Sequence, residues 1–218
     1  MRHVKLKPGV VSDSTGLCRL IDDAYPDIKA PSTYIPDSAS SGFGAAGHRD
    51  GQLALRETMK NLNRELVSLT ERAFRSRSWH GPNLYGALRG VTAAQASWRP
   101  HRDRHNIWEL VVHAAYWKYR AHRLISDQPP CAFGIKGADW FVRPVEASES
   151  AWEADKALLR NWHNRLRTAI AEFDPARLPK KVGKSVHTYW DTITGVAAHD
   201  LYHAGQVQLL KRLVPTNG

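Results

Sequence analysis

"HNIWELVVHAAYWKYRAHRLI", residues 105–125, is the stretch that decides the fold. From Ile107 to Trp117 only Glu109 and His113 interrupt a run of apolar and aromatic side chains. A helix that is apolar nearly all round must be covered on every side, so other elements have to surround it. The rest of the chain supplies helices for that purpose. Upstream, Leu55, Met59, Leu62, Leu66, Leu69 and Ala73 recur at alternating spacings of four and three, one stripe of a long helix that opens near His48. Downstream, Trp152, Leu159, Trp162, Leu166, Ile170 and Phe173 mark a third long helix, with Ser148 or Ser150 as its N-cap and Asp174-Pro175 as its stop. A fourth runs from about Thr188 to Leu213, just before Pro215.

Shorter pieces fill the gaps. One helical turn is expected around Leu84 to Leu88, and a second where Thr92 and Gln95 stand at the spacing of a capping box. Between the second and third long helices lies a proline- and glycine-rich connection carrying Pro129-Pro130, Gly134, Gly137 and Pro144, long enough to travel the length of a bundle. No segment alternates strongly enough to require a sheet. The expected fold is all-α: a four-helix bundle with a long crossover between helices two and three, occupying residues 47–214. Residues 1–46, rich in Pro, Ser, Gly and Ala and without a sustained period, read as a flexible or irregular N-terminal extension.

Composition narrows the function. The chain has 218 residues and a formal net charge of +10, from 31 Lys and Arg against 21 Asp and Glu. Such a balance suits polyanions, but here the cations are scattered and mixed with acids instead of forming a basic stripe, which argues against nucleic acid as a partner. Cys18 and Cys131 stand far apart, so neither a disulfide framework nor a cysteine metal site is indicated, and a reducing, cytoplasmic home is expected. No continuous apolar run reaches membrane-spanning length and no secretory h-region is present.

The chemistry, if any, lies in the histidines. His199 and His203 in "GVAAHDLYHAGQVQLLKRL" are four residues apart, the spacing that stacks two imidazoles on one helix face beside Thr192, Val196, Gln206 and Leu210. Two adjacent buried imidazoles are costly unless their nitrogens find partners, and a divalent metal satisfies that demand. In a chain with 11 histidines the pair alone suits a metal site and two ordinary core histidines about equally. His113, isolated on the most apolar helix, supplies a third ligand if helices two and four adjoin, giving a three-His site with an open position. Glu109, one turn before His113, and Asp200, beside His199, are the candidate acid–base groups or acceptors for a ligand N–H; each also suits a solvated helix face. Tyr116, Trp117 and Tyr202 are candidates for lining the cavity. His122, His163 and His187 stand among polar neighbours or at a helix start and are expected in surface or capping roles.

"HNIWELVVHAAYWKYRAHRLI", followed some 75 residues later by "AHDLYHAGQ", resembles the DinB-like superfamily of metal-binding helical bundles. His113, His199 and His203 fall on its three metal-binding positions, and Gln206 on the glutamine that follows them. The resemblance covers about residues 51–213. It implies a frequently dimeric protein that binds zinc, nickel or a similar divalent ion. Some relatives transfer a low-molecular-weight thiol to an electrophile, and others have no established activity. A metal-dependent transferase or hydrolase is therefore expected, with a non-catalytic metal-binding or stress-related dimeric bundle as the alternative.

Overall fold

The computed structural model describes residues 45–215, with side chains described from Glu57 onward. The N-terminal extension expected over residues 1–46 lies almost wholly outside the described residues. Six α-helices follow in order: α1 (Ala45–Phe74), α2 (Leu84–Ala87), α3 (Ala93–Ser97), α4 (Ile107–Ile125), α5 (Glu149–Glu172) and α6 (Tyr189–Leu213). A short 3-10 turn, Pro175–Arg177, separates the last two, and no strand occurs among the described residues. The described residues are therefore all-helical, as expected.

Local chemistry sets the helix ends. Asn106 caps α4: its side chain accepts the Glu109 N–H. Ser148 caps α5 through the Ala151 N–H. Thr92 with Gln95, and Thr188 with Asp191, close reciprocal capping boxes on α3 and α6. Each satisfies backbone donors that a helix start otherwise leaves unpaired.

The four long helices pack as α1 on α5, α5 on α4, α4 on α6 and α6 on α1, with the short α2 against α6. α4 is thereby flanked by α5 and α6, and its residues from Ile107 to Tyr116 are all buried. The segment between α4 and α5 returns along α4. Phe133 packs near Tyr119 and Tyr116, Asp139 reaches His113, and the Arg143 carbonyl accepts from Asn106 at the start of the helix. Phe133 and Phe141 anchor this return in the core beside Trp162 and Tyr116.

One expectation fails here. His163 is not a surface residue but wholly buried, and His122 is buried as well. His163 follows Leu159 by one turn and so shares the inward face of α5. Its ring stacks on Phe74 at 3.8 Å, and its Nε2 lies 3.1 Å from Glu71 Oε1. Burial pushes its pKa down to about 3. Burial alone would raise the Glu71 carboxyl, but bonds from Arg75 and His163 outweigh it and bring the group to about 2.

The unfolded chain therefore takes up a proton on His163 before the folded one does. The stability this residue contributes is complete above pH ~6.5 and is lost as pH falls toward ~3, at up to about 1.4 kcal/mol per pH unit. Glu71 adds a loss of the same sign below its ordinary pKa. Urea midpoints of the wild type should fall more steeply between pH 6 and pH 4 than those of His163→Gln; parallel curves would contradict the assignment.

Candidate metal centre

Among the described residues, one group of metal-ligating side chains converges: His113 from α4 with His199 and His203 from α6, their ligand atoms all within 4.8 Å of one another. The α4–α6 contact brings them together, and the i, i+4 spacing stacks the α6 pair. Nε2 of His199 lies 3.2 Å from Nε2 of His113 and 2.9 Å from Nε2 of His203. Nitrogens about 2.0–2.1 Å from a tetrahedral ion sit roughly 3.3 Å apart, so the arrangement needs only slight opening to accept one. His113 and His203 are buried, and His199 is half-buried on the open side.

Partners on the far side of the rings fix two tautomers. Nδ1 of His113 lies 3.0 Å from the Asp139 carbonyl oxygen and 3.3 Å from Asp139 Oδ1, so it carries the proton. Nδ1 of His203 donates in the same way to Gln206 Oε1 at 2.6 Å. Both rings thus turn the Nε2 lone pair toward His199, whose Nδ1 is buried without a partner. Burial lowers the pKa of His113 to about 4 and of His203 to about 4. His199 is lowered further, by burial and then by the two neighbouring imidazoles. A neutral His199 can offer at most one N–H to the two lone pairs that face it, whereas a cation at the centre would serve all three rings.

Aromatic rings frame the cluster. Trp140 is sandwiched between His113, at 3.8 Å, and His105, at 3.6 Å, both nearly parallel to it. Trp117 stands edge-on to His199 and donates its Nε1–H to Asp139 Oδ1 at 2.9 Å. Tyr202 meets His203 edge-on at 5.1 Å, whereas Tyr116 belongs to the core.

Of the two carboxylates singled out in the sequence, neither bonds an imidazole of the cluster. Glu109 pairs with Arg99, takes His105 Nδ1 at 2.9 Å and accepts the Arg143 N–H. Burial would raise it, but Arg99 and His105 hold it below the ordinary carboxyl range. Asp200 bonds Lys118 at 2.5 Å, and neither side chain is exposed to solvent.

The supporting role falls instead to Asp139, which sequence reading missed. Nothing local marks it, because only the return of the crossover along α4 carries it to His113. Its backbone is left-handed, φ 61°, a conformation that Asp tolerates better than most side chains and that tends to persist where surrounding contacts enforce it. Partners of ligand imidazoles typically govern metal affinity by 10–100-fold. Asp139→Ala, which loses the carboxylate and disfavours the backbone geometry that delivers the carbonyl, should weaken divalent-metal binding by about that factor in chelator competition. Asp139→Asn should retain more affinity than Asp139→Ala; equal affinity for wild type and both variants would contradict the role.

No curated protein and no solved structure matches this chain. The sequence profile of the DinB superfamily matches residues 76–207, a span that holds all three histidines, Asp139 and Gln206. With an all-helical fold and the histidine cluster inside the matched span, the chain belongs to the DinB superfamily.

Proposed function

We propose that His113, His199 and His203 hold one divalent metal ion, zinc or nickel, and that the centre serves a metal-dependent enzyme of the thiol-transferase or hydrolase type. The observation that carries the metal reading is the convergence of three neutral Nε2 atoms, two with tautomers set from outside. An ion held by three neutral imidazoles keeps its full charge and an open position, and supplies Lewis-acid activation of a thiol or a water. The half-buried edge of His199, beside Trp117, is the side from which substrate approaches. Beyond Trp140, a depression of about 420 Å³ is lined by Arg99, Arg102, Arg104 and His105 together with Asp103 and Glu109, and Glu109 pairs with Arg99 and Asp103 with Arg102; its mixed charge suits a polar end of a small substrate. Asp139, on the Nδ1 side of His113, serves to orient that ligand.

A second reading, a non-catalytic metal-binding or stress-related dimeric bundle, draws on the engagement of Glu109 and Asp200 in ion pairs, which leaves neither free for acid–base work. A cytoplasmic location accords with either reading. No helix among the described residues is long and apolar enough to cross a membrane.

Elemental analysis of the purified chain, and of apoprotein reloaded with zinc or nickel, tests the first step: about one ion per chain is expected. Metal-dependent turnover in thiol-transfer and ester-hydrolysis screens then separates the two readings. Absence of a stoichiometric ion would overturn both.

A further inference from the structure

A groove of about 560 Å³ is formed by the C-terminal halves of α4 and α5 and by the segment that follows α4. Its size falls within the range of small-molecule sites, about 300–1,000 Å³. Its wall includes His122, nine residues beyond His113 on α4, a helix rise of roughly 13 Å, and none of the cluster histidines lines it.

Three polar side chains meet there. Cys131 is half-buried. Phe133, two residues on, is buried in the core, and its carbonyl accepts the Trp162 indole N–H at 3.3 Å, which fixes the segment that carries the thiol. Arg165 on α5 donates from Nη1 to Cys131 Sγ at 3.7 Å and from Nε to Asn161 Oδ1 at 3.2 Å. Its guanidinium also lies 5.0 Å over the Trp162 ring, so the cation is held beside the thiol. His122 forms part of the wall although it is only 8% exposed, and its Nδ1 is buried without a partner. An imidazole nitrogen left in that state is costly, and a polar ligand in the groove is the group that can answer it.

The order of charge along the groove indicates which ligand. Arg165, Thr168 and Glu172 follow one another at three and four residues on one face of α5, so a cation, a hydroxyl and an anion are spread over about 10 Å. A matching ligand offers a carboxylate to Arg165 and an ammonium to Glu172. The thiol beside Arg165 adds a point of covalent attachment for a sulfur near the carboxylate end.

We propose that this groove takes a zwitterionic, peptide-sized disulfide and that Cys131 forms a mixed disulfide with one half of it. Cys131, as thiolate, attacks the nearer sulfur. The new bond to Sγ forms as the disulfide of the ligand breaks, and the other half leaves as a thiolate that takes up the proton Cys131 released. The incoming disulfide is itself the oxidant: Cys131 is oxidised, the departing thiol is reduced, and no further reagent is consumed. The exchange needs no metal and stands apart from the metal reading above.

The test uses the full-length chain carrying Cys18→Ser, both as purified and after chelation, with two probes: glutathione disulfide and the uncharged hydroxyethyl disulfide. Intact mass after an acid quench should show one adduct per chain, absent from Cys131→Ser. The ratio of the two rates, charged probe over uncharged, should exceed that of the same chain unfolded in urea by about tenfold or more, the worth of one charge-assisted hydrogen bond. Arg165→Gln should return the ratio to the unfolded value, and Glu172→Gln should lower it. No adduct, equal ratios in the folded and unfolded chain, or a ratio untouched by Arg165→Gln would overturn the proposal. So would an adduct that forms only on the metal-loaded chain, since that places the exchange at the histidines. A chain that binds no ion at all should still give every expected result, so the two readings fail separately.

Discussion

His113→Ala, His199→Ala and His203→Ala are each expected to lose most of their divalent metal under conditions in which the wild type is fully loaded. Removing a partner that merely supports a ligand costs 10–100-fold in affinity, so deleting a ligand outright should cost more than ~100-fold. The effect is separable from unfolding. Without metal, a neutral His199 has at most one N–H to offer the two inward Nε2 lone pairs of His113 and His203, so His199→Ala forfeits a single hydrogen bond, a net loss of about 1 kcal/mol. The variants should therefore melt near the wild-type apoprotein. They should also lack the metal-dependent rise in melting temperature, because an ion stabilises only the state that binds it. Full occupancy in His113→Ala would show that the third ligand lies elsewhere.

Lys118→Met should be the most destabilising single substitution in the core. Lys118 and Asp200 are both at 0% exposure and bond each other between α4 and α6. The Lys118 ammonium also lies 4.8 Å over the Phe74 ring. Burial pushes the Lys118 pKa down and the Asp200 pKa up, and their mutual attraction opposes both shifts. Removing the lysine strands a carboxylate whose Oδ1 already has no partner. Breaking a buried pair from one side costs about 3–5 kcal/mol, a large share of a typical domain stability of about 5–15 kcal/mol. Replacing both members by apolar residues of similar size is often near neutral. Lys118→Met/Asp200→Leu should accordingly recover most of what Lys118→Met loses in urea unfolding. A single variant no weaker than a surface substitution would contradict this account.

Periodicity and caps made the helices legible. The stripe from Leu62 to Ala73 and the Thr92–Gln95 box needed nothing beyond local spacing, and both stand as expected. The three histidines were legible for a related reason: a polar ring inside an apolar helix has to be answered by something. Asp139 and Trp140 were hidden because their importance arises from tertiary placement alone; in sequence they belong to a proline-rich loop. Lys118 and His163 were hidden differently. Each carries a group that ordinarily stays in water, and only Asp200 across the helix interface, or Glu71 with Phe74, makes its burial tolerable. Glu109 illustrates the converse: its position one turn from His113 suggested contact, yet Arg99 and His105 claim it.

The return of the crossover along α4 bears on when the centre can form. His113 meets Asp139 across 26 residues and His199 across 86, so no part of the chain short of the nearly finished fold presents the ligand set. Closing such distant contacts is slow compared with helix formation. A metal ion therefore arrives too late to guide folding. Its influence is confined to the reverse reaction, where it slows escape from the completed structure and leaves the rate of reaching it unchanged.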